Sequence, residues 1–558
     1  MPSLRRIAVL GVILLGYIWQ VERVQPVHFF GQFQDDSIYF STARSIAEGH
    51  GYRLESFPGR PYQSKYPILY PWLLSYVWKV SPGFPHNLNG AVHLTEFFGC
   101  WTLIAVFCLL SKLPGLGETA ALWLTAITAF QPVFLRAGGL IMSDVPFMAC
   151  MVTVLLLCVI ACRKPANPWI CLAIGALAGL ATGIRTVGFS LVAGVCCALL
   201  VQKKFRPALF VAAAAGLAIA LVLGPGLLHR EPPANLAPGE PGWNQVVAYY
   251  TSYTQFQWTM GIPSLTGLAR LVFLNLLVLA SSPGLVIVGR FGKVLAFGAM
   301  ILSIPMWIGL IRRWRTPEWT PVALTVLFYC GVVLVWPYPQ PERFLLPFVP
   351  IFLAGLCCEL QRIGPKIMER FRTESPRAER ALAALLASSF LLLVAMAAWN
   401  AGVRDPRARR AGSAVQAEVL EEREQAYRWI QEHTSREDRV VSWKDVVLYL
   451  YTGRQGLRPV ATLPQAIYLD DPKSVERDAD RMCEAARHIG ARYWMTTPDD
   501  FNLEPNRERL SRRMNEVAAV LPVVFRSPRG LVQIHDASCL NEQQRADCQA
   551  IRSVLFPR

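Results

Sequence analysis

Charged residues are scarce in this sequence. Only 17% of its 558 residues are Asp, Glu, Lys or Arg, whereas a soluble globular protein carries about 25%. The apolar residues that take their place come in long runs, such as 7–19, 97–110, 211–228 and 381–399. A helix that crosses a bilayer needs about 20 mostly apolar residues. The composition therefore excludes an ordinary soluble protein and predicts a polytopic α-helical membrane protein.

Sequence motifs for nucleotides and metal ions are also missing. There is no G-x-G-x-x-G or P-loop pattern and no H-x-x-x-H, H-E-x-x-H or C-x-x-C pair, which are common signatures of nucleotide and metal sites. Most of the 14 cysteines lie inside apolar runs, where a thiol behaves as a small hydrophobic side chain. The exception is Cys539 and Cys548, which we expect to form a disulfide if the C-terminal region lies outside the cytoplasm.

Basic residues recur in alternate loops, and this pattern sets the topology. The formal net charge is +16, with Lys and Arg at 4–6, 112, 163–164, 203–206, 312–315 and 362–380. Because cytoplasmic loops are enriched in Lys and Arg, these clusters predict a cytoplasmic N-terminus and no nucleic-acid partner. The first run is followed by WQVERVQPVHFF (19–30) rather than by a small-residue cleavage site. We therefore interpret it as a retained anchor, not a signal peptide.

This topology predicts about eleven transmembrane helices. They lie near 7–25, 91–111, 118–135, 146–162, 168–184, 187–202, 207–228, 291–311, 317–336, 344–360 and 381–400. The apolar stretch 264–290 is interrupted by SSPG at 281–284, so we interpret it as an interfacial or re-entrant segment. The long first loop, 26–90, then lies on the outer side, and its aromatic runs suit helices in the plane of the interface.

After residue 400 the composition changes, which predicts a second domain. Charged residues become frequent, and no run is long enough to span a bilayer. Helical stretches at 414–434 and 473–489 alternate with β-rich pieces at 439–443, 459–463, 491–497 and 531–535. This alternation is typical of a small α/β domain. We therefore divide the chain into a transmembrane domain, 1–400, and an extracytoplasmic α/β domain, 401–558, which an odd number of spans places outside.

Six ionisable residues stand in the first loop or at the outer ends of the predicted spans. They are Asp35, Asp36, Lys65, Asp144, Arg185 and Arg343. Each has a structural explanation: a helix cap for the acids, an arginine that extends to the interface, or a surface charge. Charges near the hydrocarbon region are nevertheless costly and often functional. Their shared face favours one site, because acids can accept a proton and bases can hold phosphate oxygens.

The motifs around these residues resemble those of a known family. The acid pair leads into a spaced pattern formed by Tyr39, Ala43, Gly49, Gly51 and Tyr52. It is followed in order by KYPILYPWL (65–73), SDVPF (143–147), IRTVGF (184–189) and RFLLPFVP (343–350). This ordered set resembles the GT-C glycosyltransferases over about residues 1–400. Within that family it is most similar to the protein O-mannosyltransferases and the lipid A aminoarabinose transferases.

The resemblance implies a function and a location. Such enzymes move a sugar, with inversion, from a polyprenyl-phosphate carrier to an acceptor on the outer face of the membrane. For this chain the resemblance implies a plasma-membrane or inner-membrane protein whose active site is extracytoplasmic. Its partners would be a polyprenyl-phosphate-linked sugar and a lipid, glycan or protein acceptor.

The resemblance also implies roles for the charged residues. Asp35 would be the general base. The second acid is Asp36, where the family has Glu, which leaves open which of the two reaches the acceptor. Three cations, Lys65, Arg185 and Arg343, would neutralise the departing lipid phosphate.

Two further residues have less defined roles. Asp144 would orient the sugar or support a divalent ion. Tyr39 would pack against the sugar or only line the first loop, and we favour the lining role. Adjacent aspartates could hold Mg²⁺ or Mn²⁺, which makes such a cation a candidate cofactor.

Other functions fit parts of the pattern. A transporter or flippase for a lipid-linked substrate would use the same charges without chemistry, but we find no internal repeat of the kind that such proteins show. A scaffold whose outer domain does the work leaves the charges of the membrane part unexplained. An oligosaccharide ligase differs mainly in its donor and stays open.

Overall fold

We describe the fold from a computed structural model of the chain. It describes residues 4–23, 26–163, 167–228, 237–252, 254–262, 264–288, 292–338, 340–372, 405–464, 466, 471–502, 504, 506–541 and 546–556. The expected span at 381–400 lies outside these residues.

The described residues up to 372 are mainly helical. The α-helices are Leu4–Val21, Pro26–Phe29, Asp35–Ala47, Leu69–Val80, Leu88–Lys112, Glu118–Ala129, Pro132–Gly138, Asp144–Arg163, Pro168–Ile184, Gly188–Val201, Phe205–Leu228, Pro241–Thr251, Leu265–Val288, Gly292–Arg313, Thr320–Leu334, Pro341–Leu345 and Val349–Arg372. Short π and 3₁₀ turns lie at Thr254–Thr259 and Leu346–Phe348.

Seven of the described helices are long and apolar enough to cross a membrane, or eight if a bent pair counts as one span. That pair, Glu118–Ala129 and Pro132–Gly138, bends by 63° and occupies the span expected at 118–135. Three further expected spans, Pro168–Ile184, Gly188–Val201 and Thr320–Leu334, are apolar helices of 10 to 17 residues. The polytopic helical architecture is confirmed, whereas the count of eleven stays a prediction.

The stretch 264–290 differs from our expectation. It forms one continuous helix, Leu265–Val288, which contains Pro283 and is long and apolar enough to span a membrane. The neighbouring helix explains why SSPG does not interrupt it. Ser303 Oγ accepts a hydrogen bond from Gly284 N at 2.9 Å and donates one to Ser281 O at 2.9 Å, and such side chains can satisfy the backbone around a proline. The predicted break at SSPG is therefore wrong, whereas the interfacial placement of this segment stays a prediction.

Two glycines bring a pair of helices into close contact near the site. A Cβ atom on Gly175 or Gly179 would lie 2.3 Å from Val211 O or 2.7 Å from Ala215 O, respectively. This small-x-x-x-small spacing lets helix Pro168–Ile184 lie directly against Phe205–Leu228. The first of these helices ends where Arg185 begins, so the contact fixes the position of that side chain.

The C-terminal region forms the expected α/β domain. Its strands, Val440–Val441, Gly456–Leu457, Tyr493–Thr496, Val523–Arg526 and Gln533–Asp536, build one five-stranded sheet. The helices are Asp405–His433, Asp445–Thr452, Pro472–Asp480, Met482–His488, Arg507–Val520 and Ala546–Leu555, with a 3₁₀ turn at Ser538–Leu540.

The strands of this domain form a mixed sheet, and most of them lie where the sequence predicts strands. With the strands numbered in sequence order, their order across the sheet is 2-1-3-5-4. Strand 1 pairs in parallel with strands 2 and 3, and strand 5 pairs antiparallel with strands 3 and 4. Val440 pairs with Gly456 on one side and Tyr493 on the other. Three strands agree with the sequence, but 459–463 is not a strand, and the strands Gly456–Leu457 and Val523–Arg526 were not foreseen. The Cys539–Cys548 disulfide is confirmed.

The α/β domain packs directly on the first loop. Gly456 N donates to Ser56 O at 3.0 Å, and Glu55 accepts at 3.0 Å from both Tyr449 OH and Gln455 Nε2. The buried apolar side chains form one continuous core that runs through both parts of the chain. The α/β domain and the first loop therefore belong to one packed structure.

Candidate active site

A cavity of about 370 Å³ lies where the first loop, the membrane helices and the α/β domain meet. Of the seven residues proposed from the sequence, five line it: Asp35, Tyr39, Lys65, Arg185 and Arg343. Asp36 and Asp144 do not. The structure therefore brings together residues that are far apart in the sequence.

Asp35 presents its carboxylate to this cavity from the start of helix Asp35–Ala47. Its Oδ1 accepts a hydrogen bond from Tyr66 OH at 2.6 Å, and its Oδ2 lies 2.8 Å from Arg343 Nη1. Burial alone would raise the pKa of Asp35, but Arg343, the Tyr66 hydrogen bond and Lys65 outweigh it and hold that pKa below its usual value. The carboxylate is thus ionised near neutral pH.

Arg343 connects the two acids of the site. Its Nε donates to Asp144 Oδ2 at 2.9 Å and to Oδ1 at 3.1 Å, while its Nη1 contacts Asp35. Arg185 forms an ion pair with the same Asp144. The planar fork of an arginine suits such a bridge between carboxylates. Asp144 is buried behind both arginines, so it holds and orients them instead of facing the cavity.

Asp36 points away from the cavity, although it is adjacent to Asp35. Its Oδ2 accepts from Gly31 N at 2.9 Å and its Oδ1 from Ser37 N at 2.8 Å. Burial raises the pKa of Asp36 to about 7, despite these two hydrogen bonds. Asp35 therefore reaches the cavity, whereas Asp36 supports the loop.

Lys65 approaches Asp35 from the other end of the first loop. It is buried, and its ammonium group lies 3.7 Å from the centre of the Tyr249 ring, a cation–π contact. Burial lowers the pKa of Lys65 to about 7; Asp35 opposes this shift, and Arg458 adds to it. A lysine in this environment changes charge within the physiological range.

Tyr39 lines the cavity, and its ring packs against two other tyrosines. Its hydroxyl lies 3.2 Å from Ser143 Oγ, and its ring contacts Tyr66 and Tyr70 edge-to-face, with centroids 5.0 and 5.3 Å away. This arrangement agrees with the lining role expected from the sequence.

The three aspartates proposed from the sequence are each engaged by other groups of the protein. The carboxylates of Asp35 and Asp144 are bound to arginines, and Asp36 faces backbone N–H groups. Two groups of His and Glu in the described residues could hold a metal ion, Glu22–His93–Glu96 and Glu48–His50–Glu55, and neither includes these aspartates. The divalent cation suggested from the sequence therefore stays a prediction, and no step is assigned to a metal.

Among the lining residues that the sequence did not indicate are Gln34, Tyr249, Trp443 and Arg458. Two of them belong to the α/β domain, which carries no recognisable motif. The available signal was a single arginine, Arg458, next to an apolar run. Because a buried charge is rare without a partner, that position marks a contact or a site.

Comparisons with known proteins agree with this architecture. The oligosaccharyltransferase AglB of Archaeoglobus fulgidus, solved with an inhibitory peptide and a dolichol-phosphate, superposes with a TM-score of 0.52 at 14% identity, over 97% of this chain and 75% of that one. ArnT of Cupriavidus metallidurans, bound to undecaprenyl phosphate, gives a TM-score of 0.51 at 14% identity, over 96% and 99%. The chain has the GT-C glycosyltransferase fold.

The GT-C fold extends over both parts of the chain, since each match covers nearly all of it. No protein-family model matches the sequence, and no curated protein does. The likeness therefore lies in the GT-C architecture, and the chemistry has to be argued from the site.

Proposed function

We propose that this protein is an integral-membrane glycosyltransferase that moves a sugar from a polyprenyl-phosphate carrier to an acceptor, with inversion and with Asp35 as the general base. One observation carries the proposal. An ionised carboxylate, Asp35, faces a cavity whose wall also holds the cations Lys65, Arg185 and Arg343. The fold supports the class of donor, because ArnT and AglB, which share it, were solved with undecaprenyl phosphate and dolichol-phosphate.

Asp35 would act on the acceptor. In the proposed reaction it takes the proton from the acceptor group as that group forms a bond to the anomeric carbon of the sugar. The bond between this carbon and the phosphate oxygen breaks at the same time, and the electron pair leaves with the polyprenyl phosphate. Attack from the side opposite the phosphate inverts the configuration. Tyr66 holds the other carboxylate oxygen at 2.6 Å and keeps the base in one orientation.

The cations would act on the leaving group. Negative charge develops on the phosphate as the bond breaks, and preorganised cations in a water-poor site stabilise it strongly. Arg343 is shared between Asp35 and the incoming phosphate in this scheme. When the phosphate engages Arg343, Asp35 loses a partner that lowers its pKa. Donor binding would therefore make Asp35 a stronger base at the moment it is needed.

The arrangement of basic residues supports an extracytoplasmic site. Arg163 pairs with Glu318 at 3.4 Å, and Trp319 Nε1 donates to Pro114 O at 3.1 Å. The predicted cytoplasmic loops at 112–118, 163 and 312–319 thus lie together. Helix Val349–Arg372 runs away from Arg343 toward this group, where Arg312 contacts Glu359 at 3.5 Å. We propose a cytoplasmic basic face, with the cavity and the α/β domain on the opposite side.

The test uses the full-length protein in lipid nanodiscs with a panel of radiolabelled polyprenyl-phosphate sugars. We expect wild-type protein to release polyprenyl phosphate from at least one donor and to transfer or hydrolyse the labelled sugar. Binding or movement of donor across the bilayer without bond cleavage would instead favour a transporter. Labelling of single cysteines near residue 60 and near residue 315 from each side of the membrane would test the orientation.

A further inference from the structure

Gln34, the residue directly before the proposed base, has an unusual backbone conformation. Its φ angle is 58°, a left-handed value that side chains other than glycine adopt only when the surroundings enforce it. The carbonyl of Gln34 accepts hydrogen bonds from Ser37 Oγ at 2.9 Å and Ile38 N at 3.0 Å. Gln34 therefore begins the helix that carries Asp35, and its orientation sets the direction in which Asp35 points.

The side chain of Gln34 is held by three hydrogen bonds from distant parts of the chain. Its Oε1 accepts from Tyr249 OH at 2.5 Å and from Arg458 Nη1 at 2.7 Å, and its Nε2 donates to Trp443 O at 3.1 Å. Only 7% of Gln34 is exposed. A buried amide that is hydrogen-bonded through both its oxygen and its nitrogen has one stable orientation.

Arg458 is itself fixed within the α/β domain. Its guanidinium lies 3.6 Å from the centre of the Trp443 ring and 4.6 Å from that of Tyr249, and Glu504 is 3.7 Å away. A stacked arginine of this kind loses little further freedom when it binds a partner. The α/β domain thus supplies a rigid donor to the residue that precedes Asp35.

We infer that Gln34 is a positioning residue for Asp35, and that the α/β domain, through Arg458 and Trp443, is needed for the catalytic step. This inference rests on the proposed function, in which Asp35 is the base. The domain would then be more than a cap above the membrane part or a surface that selects the acceptor. A displaced domain would leave Lys65, Arg185 and Arg343 in place but would misdirect the base.

The first experiment is independent of activity. Hydrogen–deuterium exchange of the full-length protein in nanodiscs, without substrate, compares wild type with Arg458→Ala, Arg458→Lys and the control Arg492→Gln. Arg492 lies in the same domain and is largely exposed. We expect faster exchange across 31–40 in Arg458→Ala, a smaller effect in Arg458→Lys and none in the control. Unchanged exchange at 31–40 in Arg458→Ala, with that protein folded, would overturn the inference.

The second experiment measures single-turnover rates and donor affinity with a donor that wild type cleaves. Gln34→Ala should lower the rate by about 10- to 100-fold, the range for a small misplacement of a reacting group, while donor affinity stays unchanged. Gln34→Glu keeps the oxygen that Tyr249 and Arg458 contact but cannot donate to Trp443 O, so its rate should lie between those of wild type and Gln34→Ala. Gln34→Gly tolerates the φ angle but lacks the side chain, so it should be as slow as Gln34→Ala.

The two proposals fail in different ways. If wild type cleaves no donor, the proposed function is wrong, and the exchange experiment alone decides whether the α/β domain fixes the segment that carries Asp35. If wild type is active and Gln34→Ala is equally fast, or if Gln34→Gly restores the rate, Gln34 does not position the base through its side chain. A parallel loss of donor affinity and rate would indicate general disruption of the cavity and would also overturn the inference.

Discussion

Arg343 Nη1 lies 2.8 Å from Asp35 Oδ2, so the proposed base and one of the proposed phosphate ligands form an ion pair in the substrate-free protein. The same guanidinium reaches Asp144 through its Nε. This geometry keeps a cation in place before the donor arrives, because the acids balance its charge. It also means that a bound phosphate has to compete with Asp35 for Arg343, which couples donor binding to the basicity of Asp35.

Replacing Arg343 tests this coupling. Arg343→Gln should lower kcat/KM for the donor by about 10²–10³, the loss typical of one missing group that stabilises developing negative charge. It should also raise the pKa of Asp35, because Arg343 is a main cause of its lowered value. The acid limb of the pH profile of kcat/KM should therefore move to higher pH. Arg315→Gln, an exposed arginine on the opposite basic face, should leave both unchanged; an unshifted acid limb in Arg343→Gln would argue against the coupling.

The lowered pKa of Lys65 predicts how the affinity for the donor depends on pH. Its pKa is lowered to about 7, so the ammonium is charged below pH 7 and becomes neutral above it. A sugar phosphodiester keeps its single charge over this range, so its affinity should fall about tenfold between pH 6 and pH 8 as one charge-assisted hydrogen bond is lost.

Two lysine variants test whether Lys65 causes this pH dependence of donor binding. Lys65→Arg should bind the donor with little pH dependence, because a guanidinium stays protonated. Lys79→Arg, at an exposed position of the first loop, should keep the wild-type dependence. A Lys65→Arg protein with the full wild-type pH response would assign that response to another group.

The raised pKa of Asp36 predicts that pH changes the stability of the folded protein through this residue, and not the rate of sugar transfer. Its pKa rises from the usual 3.8 to about 7 on folding, so the folded protein binds more protons than the unfolded chain between these values. Stability should then fall as pH rises through this window and level off above about pH 7. Asp36→Asn cannot ionise, so its unfolding midpoint relative to wild type should increase from pH 5 to pH 7. A difference that stays constant with pH, as expected for the exposed control Asp480→Asn, would contradict the buried, protonated state of Asp36.

Local patterns in the sequence were sufficient to predict the membrane part. Long apolar runs and basic clusters located most helices within a few residues, and the motif order brought Asp35, Lys65, Arg185 and Arg343 to one place. The stretch 264–290 was misinterpreted because local propensity gives too much weight to Pro283. The hydrogen bonds that keep that helix continuous come from Ser303 on another helix, and no local pattern contains them.

The contribution of the α/β domain was not predictable for a similar reason. Arg458 and Gln34 are more than 400 residues apart in sequence, and neither belongs to a motif. Their contact depends on how the domain packs on the first loop. The roles of Asp36 and Asp144 also needed geometry, because sequence shows that acids are near a site but not which side chains face it.

The central claim is that Asp35 removes a proton during sugar transfer, and one variant tests it most directly. Asp35→Asn keeps the shape of the side chain and can still accept the hydrogen bond from Tyr66, but it cannot take a proton. Because the donor phosphate no longer competes with the Asp35 carboxylate for Arg343, donor affinity should be retained or increased. At saturating donor, the single-turnover rate of sugar transfer in nanodiscs should fall by about 10²–10⁴ relative to wild type. An Asp35→Asn protein that transfers sugar at the wild-type rate would contradict the account.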